Sequence, residues 1–381
     1  MQSFRYNTQT CIHFGRNALK EHASELAPFG RKAVIVTTKF PKGHPNLALE
    51  DVKDVLRGLW VEFKVVDGVE ENPPVENIVA LYEELDGFTP DYVFGVGGGS
   101  AMDAAKTLAQ YINDGAGDPY HLFFWPGKLL KNYRNLSRIP VFTVPTTAGT
   151  GSEVTGGAVL TRADKDTKES MNMELFPEMS FVDPRYIEGS PQHLLDTGAI
   201  DALAHGVEGC LHRDANVMNK GISFSAFQLF AEFKDDLLAG AMTSEDFDKM
   251  SAHAFMQGVS FMQSCTTIPH GLGYPLSHKK GVCHGLACGM FLGVYLDHFR
   301  DQALVEPIIH ACGFGDSAEF KEYVSALTGR DVVLEVTEEE IVAWTDQFMT
   351  QQMWRIEANP EPLGREDIYE MYELALADYK R

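Results

Sequence analysis

Four side chains in the second half of the chain have the types and spacing to hold a divalent cation. Asp201 and His205 lie four apart in Gly198-Ala199-Ile200-Asp201-Ala202-Leu203-Ala204-His205-Gly206-Val207-Glu208. On a helix that spacing puts both side chains on one face, about a turn apart. Pro269-His270-Gly271 and Cys283-His284-Gly285 place two more histidines fourteen positions apart, each followed by glycine. One carboxylate and three imidazoles suit Fe(II) or Zn(II) and leave positions open for water or a substrate oxygen. Taken singly, each of these histidines is equally compatible with an ordinary buried or surface role.

Two glycine-rich segments in the first half could handle phosphate. An apolar run, Tyr92-Val93-Phe94-Gly95-Val96, leads into Gly97-Gly98-Gly99-Ser100-Ala101-Met102-Asp103-Ala104-Ala105-Lys106. Glycines allow a tight turn and close backbone approach, and the helix that follows offers unpaired N–H groups to a pyrophosphate. The pattern is a near miss to the dinucleotide fingerprint G-x-G-x-x-G, and a plain strand-to-helix turn would look similar. The second segment, Val144-Pro145-Thr146-Thr147-Ala148-Gly149-Thr150-Gly151-Ser152-Glu153, offers four hydroxyls to phosphate or ribose, or is simply a polar connecting loop. Neither is followed by G-K-[ST], so ATP hydrolysis loses its usual support.

Elements able to position these groups can be read from periodicity. Strands are expected at 33–38, 63–66, 92–96, 140–144 and 180–182, with helices at 50–59 and 75–85 between them. Such alternation gives a parallel sheet with helices on both faces. After Asp183-Pro184 strand signals nearly vanish, and 196–211, 221–238, 282–299 and 366–377 read as helices of a bundle, the last fed by a loop at 359–364. The expected organisation is an α/β domain over residues 1–186, carrying the two glycine-rich segments, and an all-α domain over 187–381, carrying the four candidate cation ligands.

The length, 381 residues, is enough for two or three domains of ~150 residues each. Composition, 44% hydrophobic and 23% charged, is that of a folded protein, away from disordered or membrane classes. A net charge of −22 repels phosphate backbones and anionic bilayers, arguing against nucleic-acid or membrane partners. The start has no signal-like apolar core, and no run of ~20 apolar residues occurs, so a cytoplasmic location is expected. Six scattered cysteines without C-x-x-C spacing fit reduced thiols.

Together GGGSAMDAAK (97–106), VPTTAGTGSEVT (144–155), FVDPRY (181–186), GAIDALAHGVEG (198–209) and PHGLGYPLSHKKGVCHG (269–285) form ordered blocks. In these blocks the chain resembles the iron-containing (group III) alcohol dehydrogenases, in particular their 1,3-propanediol dehydrogenase-like branch, over nearly its whole length. The resemblance implies Asp201, His205, His270 and His284 as metal ligands, with Fe(II), or Zn(II), as the cation. It implies pyrophosphate contacts at Gly97, Gly98, Gly99, Ser100 and Asp103, and ribose and nicotinamide-side contacts at Thr146, Thr147, Thr150, Val159, Lys168 and Leu194. It also implies an active-site cleft between the domains, a small alcohol or aldehyde as substrate, and a homo-oligomer of two or more chains.

Two positions depart from the family. Where many members have a histidine four residues after the third ligand, this chain has Tyr274, leaving Tyr274, His278 or solvent as the proton source. Where NAD-preferring relatives carry an aspartate after the first cofactor-domain strand, this chain has Thr38, with Lys39 and Lys42 close by. Losing that carboxylate removes repulsion of a 2′-phosphate, so NADP is expected in preference to NAD. Phosphonoacetaldehyde is a rival substrate if Arg213, Lys279 or Lys280 faces it. A dehydroquinate synthase-like lyase and a non-catalytic dinucleotide sensor are the competing classes.

Overall fold

The computed structural model describes residues 3–39, 46–124, 138–171, 175–329, 332 and 334–377. Lys42 lies outside the described residues. Two compact units are present: Thr8–Glu188, and Gly189–Arg381 together with the residues up to Asn7. The division falls after Glu188, against an expected 186. The segment ending at Asn7 groups with the helical unit, where Asn7 N–H donates to Gln263 Oε1 at 2.9 Å and Gln263 Nε2 donates back to Asn7 O at 2.9 Å.

In the first unit, strands β1 (Cys11–Phe14), β2 (Lys32–Thr38), β3 (Glu62–Val69), β4 (Tyr92–Gly97), β5 (Val141–Pro145) and β8 (Met179–Val182) form one sheet of order β1-β8-β5-β4-β2-β3. Every pairing is parallel. Between β5 and β8, β6 (Val159–Arg162) and β7 (Thr167–Ser170) make an antiparallel pair. Side chains alternate across the sheet as a period of two requires. Val34 and Val36 pack on one side with Ile78, Leu81 and Leu108, while Ala33 and Ile35 pack on the other with Val52, Leu56 and Phe142. Helices therefore cover both faces, and long apolar runs with little polar alternation mark the strands as buried on both sides.

Helix Leu47–Gly58 starts three residues before the sequence reading placed it, because Asn46 Oδ1 accepts from Leu49 N–H at 3.1 Å and caps the first turn. β1 and the β6–β7 pair were absent from the sequence reading. Each is only four residues long, too short to show a period.

The second unit is helical throughout its named elements. Its central helix, Gln192–Leu211, packs against Val217–Ala239, Ser244–Phe261 and His284–Asp297. From Gly198 to Leu211 every residue is buried. A helix that is apolar all round belongs in the middle of a bundle, so any ionisable side chain on it is held away from water. Among the described residues no helix is long and apolar enough to cross a membrane.

Candidate functional site

Within the fully buried stretch Gly198–Leu211 of the central helix, Asp201, His205 and Glu208 are the acidic and imidazole side chains. Their spacings of four and three put them on one face. Helix Ile268–Lys279 supplies His270 and helix His284–Asp297 supplies His284 at its first position. Asp201 Oδ1 lies 3.6 Å from His270 Nε2, 3.9 Å from His205 Nε2 and 3.9 Å from His284 Nε2. Asp201, His270, His284 and Cys288 each offer a donor atom, all within 4.8 Å of one another. His205 stands beside this group, its ring stacked on His270 at 4.7 Å and on Phe261 at 4.1 Å.

Two observations fit a cation here. Asp201 Oδ1 and His270 Nε2 are buried without a hydrogen-bond partner among the described residues, a costly state that a metal ion relieves. The other ring nitrogen of His270, Nδ1, bonds Glu208 Oε1, and Glu208 Oε2 accepts from Thr267 N–H at 2.5 Å. A carboxylate holding Nδ1–H fixes the tautomer and leaves the Nε2 lone pair for a metal. Burial alone would raise the Asp201 carboxyl; His205, His270 and His284 outweigh it and hold the group below the usual carboxylate range. Burial would lower His270, yet Cys288, Glu208 and Asp201 push it well above its ordinary value. The negative field that favours a proton on His270 equally favours a metal cation.

Cys288 and Glu208 were missed by sequence reading. Both carried a usable signal. Cys288 follows His284 by four, the spacing already used for Asp201 and His205, and Glu208 follows His205 by three, which extends the same helical face.

Tyr274 comes close to the centre, its ring centroid 6.0 Å from that of His284. Arg355 Nη2 donates to Tyr274 Oη at 3.1 Å, and the guanidinium lies 5.2 Å from the tyrosine ring. His278, half-buried one turn beyond Tyr274, is outside the converging donor group. Of the cations considered for a phosphonate, Arg213 donates to Glu357 O at 2.6 Å and Lys280 pairs with Glu340 at 2.6 Å, while Lys279 is exposed. Arg213 and Lys280 are thus each engaged with a neighbouring group.

In the α/β unit the first glycine segment leaves β4 and enters helix Gly99–Asn113. Gly97 has φ of 148°, where a side chain would be strained and where a Cβ would meet Ala101 Cβ at 2.8 Å. A Cβ on Gly99 would meet Thr150 Cγ2 at 2.8 Å, so the two segments lie in contact. Thr146 N–H donates to Gly97 O at 3.0 Å, Asn72 N–H donates to Ser100 Oγ at 3.0 Å, and Ser152 N–H donates to Thr150 Oγ1 at 3.3 Å. Lys168 Nζ reaches Asn72 Oδ1 at 2.8 Å. Thr147 Oγ1 is buried with no hydrogen-bond partner among the described residues. An unspent hydroxyl beside a glycine turn at a helix N-terminus fits a phosphate ligand.

The Asp103 carboxylate, expected at the pyrophosphate, is hydrogen-bonded within the protein. Its Oδ2 accepts from Val159 N–H at 2.9 Å, and its Oδ1 accepts from Ser152 Oγ at 2.5 Å and Lys106 Nζ at 3.4 Å. Lys106 Nζ also donates to Ser152 Oγ and Gly157 O, each at 2.8 Å. Asp103 and Lys106 thus fasten the two glycine segments together, and Val159 contributes its N–H to that fastening. Thr38 ends β2 opposite Val69 and is half-buried, with exposed Lys39 after it. Leu194 is exposed on the first turn of the central helix, in the other unit, and no polar contact marks it for a cofactor.

A parallel sheet with a glycine turn at a helix N-terminus, and a helical unit converging one carboxylate and several imidazoles, are the features that a metal- and nucleotide-dependent enzyme would need. Residues 9–184 match the family model for iron-containing alcohol dehydrogenase and residues 196–305 match that for the C-terminal part of the Fe-containing alcohol dehydrogenase family. The chain belongs to the iron-containing alcohol dehydrogenase family. Long-chain-alcohol dehydrogenase 1 of Geobacillus thermodenitrificans is 27% identical, covering 96% of this chain and 95% of that protein. 1,3-Propanediol dehydrogenase of Klebsiella pneumoniae is also 27% identical, over 76% of this chain and 73% of that one. Among solved structures, an iron-containing alcohol dehydrogenase from Thermotoga maritima superposes with a TM-score of 0.87 at 28% identity, covering 98% of this chain and 100% of that chain.

Proposed function

We propose that this oxidoreductase reduces a short-chain aldehyde, of the 3-hydroxypropionaldehyde kind, to its alcohol with NADPH, and runs the reverse oxidation. The observation that carries the reading is the convergence of Asp201, His270 and His284 with buried Asp201 Oδ1 and His270 Nε2 left unpartnered. Asp201, His205, His270 and His284 would hold the cation, for which Fe(II) is favoured by the family and Zn(II) by intrinsic affinity. When bound, the metal supplies Lewis acidity toward an oxygen ligand and the nicotinamide supplies hydride.

The protein's own part is positioning and proton handling. Glu208 fixes the His270 tautomer. Gly97, Gly98 and Gly99 with the helix N-terminus cradle pyrophosphate, and Ser100, Thr146, Thr147, Thr150, Lys168 and Leu194 complete the nucleotide site. Arg355 spends an N–H on the Tyr274 oxygen, leaving the phenolic proton free to be given to a product alkoxide; His278 is the second candidate donor. Thr38 offers no negative charge to a 2′-phosphate, which supports NADP, and relatives named 1,3-propanediol dehydrogenase support the short diol.

The test is anaerobic oxidation of NADPH by Fe(II)-reconstituted protein with 3-hydroxypropionaldehyde, repeated after chelation. Chelator-sensitive oxidation with kcat/KM higher for NADPH than NADH is expected. Higher kcat/KM with NADH overturns the cofactor assignment. A dehydroquinate synthase-like lyase would turn over with no net change in nicotinamide absorbance.

A further inference from the structure

Donor atoms of Asp201, His270, His284 and Cys288 all lie within 4.8 Å of one another, and the thiol is the one with no place in the ligand set implied by the resemblance. Cys288 stands one turn after His284 on the same helix, with Sγ 3.8 Å from His284 Nδ1 and 3.9 Å from His284 Nε2. Its side chain is fully buried. A structural core cysteine normally sits among apolar neighbours, whereas this one sits among imidazoles and a carboxylate.

Packing holds it there. A Cβ on Gly285 would lie 1.9 Å from Thr197 O and 2.8 Å from Asp201 Cβ, and one on Gly289 would lie 2.4 Å from Ile200 Cγ2. These two glycines, one turn apart, let helix His284–Asp297 press against the central helix, which carries both His284 and Cys288 to Asp201. The buried, unpartnered Asp201 Oδ1 and His270 Nε2 independently mark the space as a cation site.

We propose that Cys288 is a ligand of the metal centre, bound as a thiolate, and that it shifts this centre toward Zn(II) relative to a set of one carboxylate and three imidazoles. On metal uptake the S–H proton leaves to solvent and the sulfur lone pair forms the bond to the cation; nothing is oxidised or reduced. Thiolate is the softest donor available here, and soft donors select zinc among divalent metals of this kind.

The inference rests on the metal reading proposed above, and X-ray absorption at the zinc edge of zinc-loaded full-length protein separates the two. A sulfur shell at about 2.3 Å beside nitrogen and oxygen is expected, lost in Cys288→Ser. Zinc bound with nitrogen and oxygen only overturns the role of Cys288 and keeps the metal centre; failure to bind zinc or cobalt overturns both. A sulfur shell that persists in Cys288→Ser places the ligand elsewhere and overturns the assignment. In cobalt-substituted protein a near-ultraviolet thiolate-to-metal band is expected in the parent and absent in Cys288→Ser and Cys288→Ala. Zinc affinity should fall about tenfold or more in Cys288→Ser, at least the loss typical of an outer-sphere partner, with a smaller loss for Fe(II). Equal losses for both metals would remove the selectivity part of the proposal.

Discussion

At the candidate metal centre buried donors outnumber the hydrogen bonds available to them, whereas at the glycine segments the charged side chains are already spent on neighbours. Asp201 Oδ1 and His270 Nε2 wait for a partner inside an apolar bundle, while Asp103, Lys106 and Ser152 close on one another. One region binds by unmet charge, the other by backbone shape and missing side chains. The first is sensitive to chemistry that preserves shape, the second to a single added carbon.

The largest expected effect follows from removing charge with shape kept. Asp201→Asn is nearly isosteric, yet it should lose bound metal and lower kcat/KM by about 10³-fold, because Lewis-acid stabilisation is worth several kcal/mol and each 1.36 kcal/mol is a factor of ten. His270→Ala should do the same. Metal content by atomic absorption, measured on the same samples as turnover, checks this; full activity in a metal-free Asp201→Asn protein would defeat the assignment. Glu208→Gln should come next. It keeps an acceptor for His270 but removes the charge behind it, and metal affinity should fall about 10- to 100-fold. Chelator competition reads the change, and unchanged affinity would reduce Glu208 to a packing role.

Much of this contrast was legible in the sequence, for physical reasons that differ by region. Helical spacing gave Asp201 and His205 as a pair, and the glycine turn after β4 stood out because few other residues tolerate its backbone. His270 and His284 were visible as residues, but their meeting with Asp201 depends on how three helices pack, which no local period encodes. Cys288 and Glu208 were passed over because a cysteine and an acid on helices are individually unremarkable. Asp103 was read as a ligand contact because the motif places it beside the turn; only the fold shows its carboxylate turned to Val159 N–H and Ser152. Short elements such as β1 were invisible, since four residues cannot display alternation.

At the glycine segments shape is the test. Gly99→Ala adds one carbon where Thr150 already stands, 2.8 Å away. Overpacking of this kind costs about 1–3 kcal/mol, so KM for the nucleotide should rise by about tenfold or more, with metal content unchanged. A fall in metal content of the same variant would break the separation between the two regions.

A stability effect, read in urea rather than in turnover, probes a place where the α/β unit also carries buried, imperfectly matched charge. Glu153, next to Ser152, is buried, and burial chiefly pushes its carboxyl up to about 7, with Asp103 adding to the rise and Lys106 opposing it. A folded-state value above the unfolded 4.5 means that the native protein binds the proton more tightly, so stability falls as pH rises from about 4.5 through about 7. The full shift corresponds to roughly 3 kcal/mol. Glu153→Gln stands in for the neutral acid at every pH. It should match the parent in urea near pH 4.5 and exceed it by up to roughly 3 kcal/mol at pH 8, above both values. Lys106 keeps Asp103 as its counter-charge in the variant, so the gain is not undone by stranding an ammonium group. Parallel urea midpoints for parent and variant across that range would show that Glu153 is charged without cost.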